Sequence, residues 1–421
     1  MQSSIKLRLT VMNFLQFAVW GAYLTSMGRY LGTAGFGSEI GNFYAMQGLV
    51  SLFMPALMGI VADRWIPAQR LLGLCHMLAG MLMLGVFLYT QTDTPSYPTL
   101  FALYSLSVAF YMPTLALSNS VAYTSLDQAG LDLVKSFPPI RVFGTVGFIC
   151  TMITVSLLGL EATSGQFAVS AIISLVLAVY AQTLPNCPTA PKGQSKSLVE
   201  ALGLRAFVLF KQRKMALFFI FSMLLGVSLQ ITNGFANPFI STFGEIPAYA
   251  DTFGVKYANI LISLSQLSET LCILLIPFAL RRFGIRRVML IAMVAWVLRF
   301  ALLGLGNPGS GVWLFLLSMI VYGVAFDFFN VSGSLFVDKE TDPSIRSSAQ
   351  GLFMIMTNGI GATLGSLGAQ AVINRFVYSQ SDTTAILAGW SMSWYVFAAY
   401  AAVVAVLFAL LFRYNTATEA K

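Results

Sequence analysis

The sequence predicts an all-α membrane protein of twelve transmembrane helices, arranged as two pseudo-symmetric six-helix bundles. Three observations predict it. Hydrophobic residues make up 57% of the 421 residues and charged residues only 10%, against roughly 25% charged in soluble domains. The apolar residues recur in blocks of about twenty, which at 1.5 Å per residue cross a hydrocarbon core of roughly 30 Å. Lys and Arg sit in alternate short connections, as in a chain that threads a bilayer repeatedly.

In order, the first half holds spans Leu9–Leu31, Ile40–Val61, Leu71–Tyr89, Leu100–Tyr123, Ile140–Leu158 and Phe167–Leu184. The first block runs on into the second with no small-residue cleavage site, so it reads as a retained helix and not a signal peptide. Pro138 and Pro139 suit the start of the fifth span, where the first turn needs no backbone donor. The second half holds Met215–Phe239, Tyr257–Leu280, Val288–Leu305, Trp313–Phe336, Ala349–Ile373 and Trp390–Phe412. Between the halves, Pro185–Lys214 carries Pro, Ser and Gly, then Lys192, Lys196, Arg205, Lys211, Arg213 and Lys214, the pattern of a charged surface linker. The expected organisation is therefore a bundle over 1–184, a linker over 185–214 and a second bundle over 215–421.

With the amino terminus in the cytoplasm, Arg29, Lys256, Arg299 and Arg375 fall near the far face and Arg141 inside a span. The remaining 19 of the 24 basic residues are then cytoplasmic, so the positive-inside rule places both termini inside. The formal charge of +8 does not form one basic patch with interleaved aromatics, which argues against a nucleic-acid partner. Cys75, Cys150, Cys187 and Cys272 lie in or beside apolar blocks without CxxC spacing or a His partner. Neither a metal site nor a disulfide framework follows from them, and no cofactor is called for.

Ionisable groups inside spans cost about 2.5–3.5 kcal/mol on insertion scales, so each is a candidate site residue. Arg141, in FPPIRVFGTVGF (Phe137–Phe148), shares a face with Thr145 and Phe148. It stands close enough to a span end that snorkelling is an equal alternative. Glu269, in SLSQLSETL (Ser263–Leu271), lies halfway along its span with Gln266 one turn earlier, where snorkelling cannot rescue a carboxylate. Asp327 stands beside a stripe of Tyr322, Phe326 and Asn330 in SMIVYGVAFDFFNVSGS (Ser318–Ser334). In LQITNGFANP (Leu229–Pro238), Gln230, Asn233 and Asn237 form an amide stripe, suited either to a hydroxylated ligand or to interhelical glue. Gln16, Trp20 and Tyr23 share one face of the first span and line a cavity or merely pack. His76, the only histidine, reads as a packed or snorkelled imidazole.

The Gly59–Gly73 loop, GIVADRWIPAQRLLG, resembles the Gly-x-x-x-Asp-Arg loop of the major facilitator superfamily, with a basic counterpart at Arg281–Leu290. More specifically, the chain resembles the bacterial nucleoside permeases, the nucleoside:proton symporter family of that superfamily. The resemblance rests on NFLQFAVWG (Asn13–Gly21), MPALMGIVADRW (Met54–Trp65), FPPIRVFGTVGF, FFIFSMLLG (Phe218–Gly226), LQITN (Leu229–Asn233), SQLSET (Ser265–Thr270), VAWVLRFALL (Val294–Leu303) and AFDFFN (Ala325–Asn330), and runs nearly end to end. One departure is Ser136, ahead of FPPIR, where relatives are expected often to carry an acidic residue. The resemblance implies a substrate held between two six-helix halves. It also implies a nucleoside site lined by Arg141, Thr145, Phe148, Gln230, Asn233, Gln266, Glu269, Tyr322 and Phe326.

The expectation is a monomeric, proton-coupled nucleoside uptake permease of the bacterial inner membrane that works by alternating access. The alternative is a permease of the same fold for another hydroxylated solute such as a sugar. A lipid-acting enzyme would need a base, nucleophile or metal set that a single histidine and scattered cysteines do not offer, and a channel would favour rings of like charge. Glu269 and Asp327 are the carboxylates deep in spans, and one of them should carry the coupled proton, Asp327 slightly favoured.

Overall fold

The computed structural model describes residues 2–189, 204–343 and 345–414. Among the described residues the regular structure is helical throughout, and ten helical segments are long and apolar enough to cross a membrane. The two other expected spans are interrupted, which accounts for the total of twelve. Span one is α1 (Gln2–Gly21) and α2 (Met27–Thr33), separated by a turn in which Tyr23 and Ser26 donate three residues back. Span eight is α10 (Ala258–Ile273) plus the first two turns of α11 (Ile276–Leu305). Pro277 has no N–H for the carbonyl of Ile273, so the ladder breaks there. Gly284, at φ 75°, then turns the chain into span nine, a backbone state that L residues with a Cβ rarely adopt.

Apart from two single-turn helices, Pro247–Ala250 and Phe253–Lys256, the remaining α-helices are α3 (Ile40–Ser51), α4 (Met54–Arg64), α5 (Ala68–Tyr89), α6 (Tyr97–Gln128), α7 (Leu133–Leu157), α8 (Gly165–Tyr180), α9 (Arg213–Thr242), α12 (Val312–Glu340), α13 (Arg346–Met354), α14 (Ala362–Phe376) and α15 (Thr383–Leu411). α3 and α4 meet at a break just ahead of Pro55, and a π turn over Ile355–Gly361 joins α13 to α14. The outward faces carry side chains such as Leu158, Ile172, Val179, Leu274, Phe278 and Leu410, all more than half exposed. Such surface suits lipid as the solvent, since lipid imposes no penalty on exposed hydrocarbon.

Two expectations need correction. α7 starts at Leu133, not at Ile140, so Pro138 and Pro139 lie inside it. Asp132 sets the start, because its side-chain oxygen accepts from the Lys135 amide (3.3 Å) and so satisfies an open first-turn donor. The linker is not polar throughout: Leu204–Lys211 forms a 3₁₀ helix that buries Ala206 and Leu209, while Lys192 and Lys196 lie outside the described residues.

The chain divides into two compact units, Met1–Tyr30 with Leu49–Leu202, and Leu31–Gly48 with Gly203–Lys421. In the first unit α1 packs along α7, α8 and α6, and α5 between α6 and α8. In the second, α12 packs against α10 and α11, α11 also against α15, and α9 against the π turn and α14. Arg286 closes the far end of α15, donating from Nε to the Phe412 carbonyl and from Nη2 to that of Ala409, both at 2.7 Å. A cation there complements the negative end of the helix.

Candidate functional site

Close helix contact in the first unit places Arg141, Thr145 and Phe148. A Cβ on Gly147 would run into the carbonyl oxygen of Phe14, and one on Gly21 into that of Phe148. The two glycines therefore let α1 and α7 touch backbone to backbone. Gly144 clears the space one turn earlier, where the Arg141 guanidinium lies over the Phe17 ring, 4.0 Å from its centroid. Arg141 is thus half-buried and turned back onto α1, and a stacked plane is a role that arginine fills better than lysine. Phe148 is nearly buried and meets the Trp20 ring edge-on at 6.4 Å, while Thr145 is half-buried on the same face.

Behind these residues lies a wholly buried polar network. The His76 Nε2 is 2.8 Å from Gln16 Oε1, and its Nδ1 is 3.0 Å from Ser174 Oγ. Gln16 Nε2 in turn donates to Thr114 Oγ1 (2.7 Å), and the Tyr111 hydroxyl donates to the Gln16 carbonyl (2.9 Å). Gln16, His76 and Tyr23 are all buried, which accords with packing for those three, whereas Trp20, the middle member of the first-span stripe, is half-buried.

The second unit gathers the other candidates. On α9, Asn233 Nδ2 donates to Gln230 Oε1 (2.8 Å), so the two amides orient each other. Asn237 instead donates across to Asn259 of α10 (2.9 Å), which is the glue reading for that member of the stripe. α10 turns Ser265, Ser268 and Cys272 into its packing face and leaves Gln266 and Glu269 half-buried on the neighbouring face. Its contact with α12 is as close as that of α1 with α7: a Cβ on Gly323 would sit 2.5 Å from the Ser268 carbonyl oxygen, and Ser268 Oγ donates to the Ile320 carbonyl.

On α12 the predicted stripe becomes a parallel ring pair, Tyr322 and Phe326, with centroids 5.8 Å apart and planes at 0°. Asp327 follows, buried, with an Oδ2 that accepts no hydrogen bond from a described residue. It lies within electrostatic reach of Glu269.

Arg299 of α11 belongs to the same cluster, and the sequence reading misses it as a site residue. It is 2% exposed, and among the described residues no carboxylate lies within ion-pair distance of it. Its Nη1 donates to the Ser318 carbonyl at 2.7 Å, and the Ser318 hydroxyl donates back to the Arg299 carbonyl at 3.0 Å. The guanidinium faces the Tyr322 ring at 4.6 Å, and the Trp296 ring meets it at right angles with centroids 5.9 Å apart. A basic residue six positions before the end of a span suggested a place near the far face. The signal that would have flagged it is the surrounding run, VLRFALL, in which no polar neighbour marks an interface.

Among the described residues no group of three or more His, Cys, Asp or Glu is placed to hold a metal, and the four cysteines are free thiols. The cluster brings together paired aromatic planes, amides and carboxyls on neighbouring helices, and one buried cation.

The family model of the nucleoside H+ symporter matches residues 3–417. Xanthosine permease of Escherichia coli (strain K12) is 50% identical over 416 residues, covering 98% of this chain and 97% of that protein. Nucleoside permease NupG of the same organism is 46% identical over 415 residues, with coverage of 98% and 97%. The crystal structure of the nucleoside transporter NupG superposes with a TM-score of 0.89 over 98% of this chain and 100% of that one, at 46% identity. These relatives are carriers, not enzymes, and the chain is a multi-pass membrane transporter of the same fold. It belongs to the nucleoside H+ symporter family.

Proposed function

We propose that the protein imports nucleosides together with protons across the bacterial inner membrane by alternating access, as a monomer with both termini in the cytoplasm. The observation that carries this reading is the parallel Tyr322–Phe326 pair, set beside Gln266 and Glu269 on the adjoining helix. A nucleoside is a flat base joined to a hydroxylated sugar. Aromatic planes accept any base, since every base has a π-face, and amides and carboxylates meet the sugar hydroxyls as donor or acceptor.

The proposed ligand set is Arg141, Thr145 and Phe148 from the first unit and Gln230, Asn233, Gln266, Glu269, Tyr322 and Phe326 from the second. Asp327 and Glu269 are the proposed proton-coupling pair. A carboxyl buried among apolar helices is neutral when protonated and charged when not, and only a change of surroundings lets it alternate between the two. Rearrangement of the helices during the transport cycle supplies that change. Asp327, with an oxygen that no described side chain satisfies, is free to serve the proton alone, whereas Glu269 serves both substrate and proton.

Uptake of labelled uridine, in cells lacking other nucleoside permeases, tests the reading. Adenosine and xanthosine should compete and hexoses should not. Saturable uptake displaced by a hexose would replace the nucleoside reading with the sugar one.

A further inference from the structure

The aromatic stripe of α12 does not end at Phe326. Asn330 and Ser334 continue it at four-residue intervals, on the same face, about 6 and 12 Å further along the helix at 1.5 Å per residue. They lead toward the end that carries Lys339 and Glu340. There a cleft of about 310 Å³ opens between α12 and α13, with Asn330, Ser334, Gln350, Phe353 and Met354 in its lining. That volume lies at the lower end of the range for small-molecule sites.

The polar groups of the cleft are set for a ligand. Ser334 Oγ donates to Gln350 Oε1 (3.1 Å), and Gln350 Nε2 donates to the Ser334 carbonyl (2.7 Å). The glutamine amide is therefore held in one orientation and keeps one N–H and one lone pair to offer. Asn330 is half-buried, and no described residue hydrogen-bonds its amide. An amide inside a membrane protein without a protein partner costs free energy unless it faces water or a ligand. The apolar side is Val331, Leu335, Phe353 and Met354: Phe353 is buried against Phe218 at 5.4 Å and Phe329 at 6.3 Å, while Met354 is 47% exposed and can re-pack around different shapes. A gap left only by imperfect packing would have no reason to hold three polar side chains.

We propose that this cleft is a second nucleoside subsite on the release side. In it Asn330 and Gln350 hold the sugar hydroxyls of the departing nucleoside, and Met354 lies against its base. The proposal rests on the nucleoside reading above and on the cytoplasmic placement of the Lys339 end of α12. Its consequence is an asymmetry: substrate entering from the cytoplasmic face meets this subsite first, and substrate entering from outside does not.

The test uses the full chain in sealed vesicles of both orientations, with exchange of labelled uridine measured from each face. Asn330→Leu keeps the branched shape and number of heavy atoms and removes the amide, and Asn330→Ser puts one hydroxyl in its place. Asn330→Leu should raise the half-saturating concentration at the cytoplasmic face about tenfold, the share of one or two uncharged hydrogen bonds, and leave the outer-face value unchanged. Asn330→Ser should fall between. An unchanged cytoplasmic-face value, an equal change at both faces, or loss of exchange at both faces would overturn the subsite. Failure of the unmodified protein to exchange uridine at all is a separate result, and it removes the nucleoside reading together with the subsite.

Discussion

Arg299→Lys keeps the buried positive charge and removes the plane that faces Tyr322 at 4.6 Å. A desolvated cation–π contact is worth about 2 kcal/mol, and the charged hydrogen bond to the Ser318 carbonyl is worth about 1.5–3 kcal/mol. Lysine offers a shorter reach and a point charge in place of a planar fork, so both contributions fall. The hydrogen bond ties α11 to α12, and its loss should appear as a lower melting temperature of the purified protein. The stacking share acts on the ligand, because a Tyr322 ring that has lost the Arg299 plane presents a less ordered face beside Phe326. Loss of the whole share, about 2 kcal/mol, corresponds to a rise of roughly thirtyfold in the half-saturating concentration, and loss of half of it to about fivefold. Uridine uptake kinetics, normalised to the amount of protein in the membrane, read it directly. A value within about twofold of the unmodified protein, at normal abundance, refutes the claim that Arg299 places Tyr322.

Phe326→Ala should impair uptake more than insertion, since it removes one of two parallel planes; at about 1–3 kcal/mol per stacked base, a loss in apparent affinity of about 5- to 150-fold is expected from uptake kinetics. Arg141→Lys should also be harmful, because an ammonium cannot reproduce the guanidinium plane over Phe17, and full activity would favour the snorkelling reading. Gly147→Val should lower the melting temperature, by about 1–3 kcal/mol of overpacking, because its side chain meets the Phe14 backbone, which cannot yield as a flexible side chain would.

The spans were legible because apolar length is imposed by the bilayer, and each predicted block has its helix. The interruptions were less so. Pro277 marks the break in span eight, but the turn between Gly21 and Met27 and the π turn over Ile355–Gly361 follow from tertiary contact, such as the close approach of Gly226 to Thr357, which no local pattern encodes. The prolines of α7 misled in the opposite way. They read as a helix start, yet Asp132 caps the helix further upstream and the ladder continues past them. At the site, helical periodicity found the Tyr322–Phe326 pair and the Gln266–Glu269 face, because both lie on single helices. Arg299 was missed because its partners, Ser318 and Tyr322, stand on another helix, and because a basic residue near a span end suggests an interface. For Asn237 periodicity went too far: it grouped three amides, of which one bonds Asn259 on the next helix.

Reconstituted vesicles with an imposed proton gradient test the coupled mechanism most directly, with gradient-driven accumulation of labelled uridine compared against exchange of internal for external nucleoside. The unmodified protein should accumulate uridine above the external concentration, and Asp327→Asn should lose accumulation while keeping exchange. Glu269→Gln should weaken both, since that carboxyl is assigned to substrate as well as proton. Uptake that never exceeds the external concentration, or a pair of variants that lose or keep the two activities together, would contradict the account.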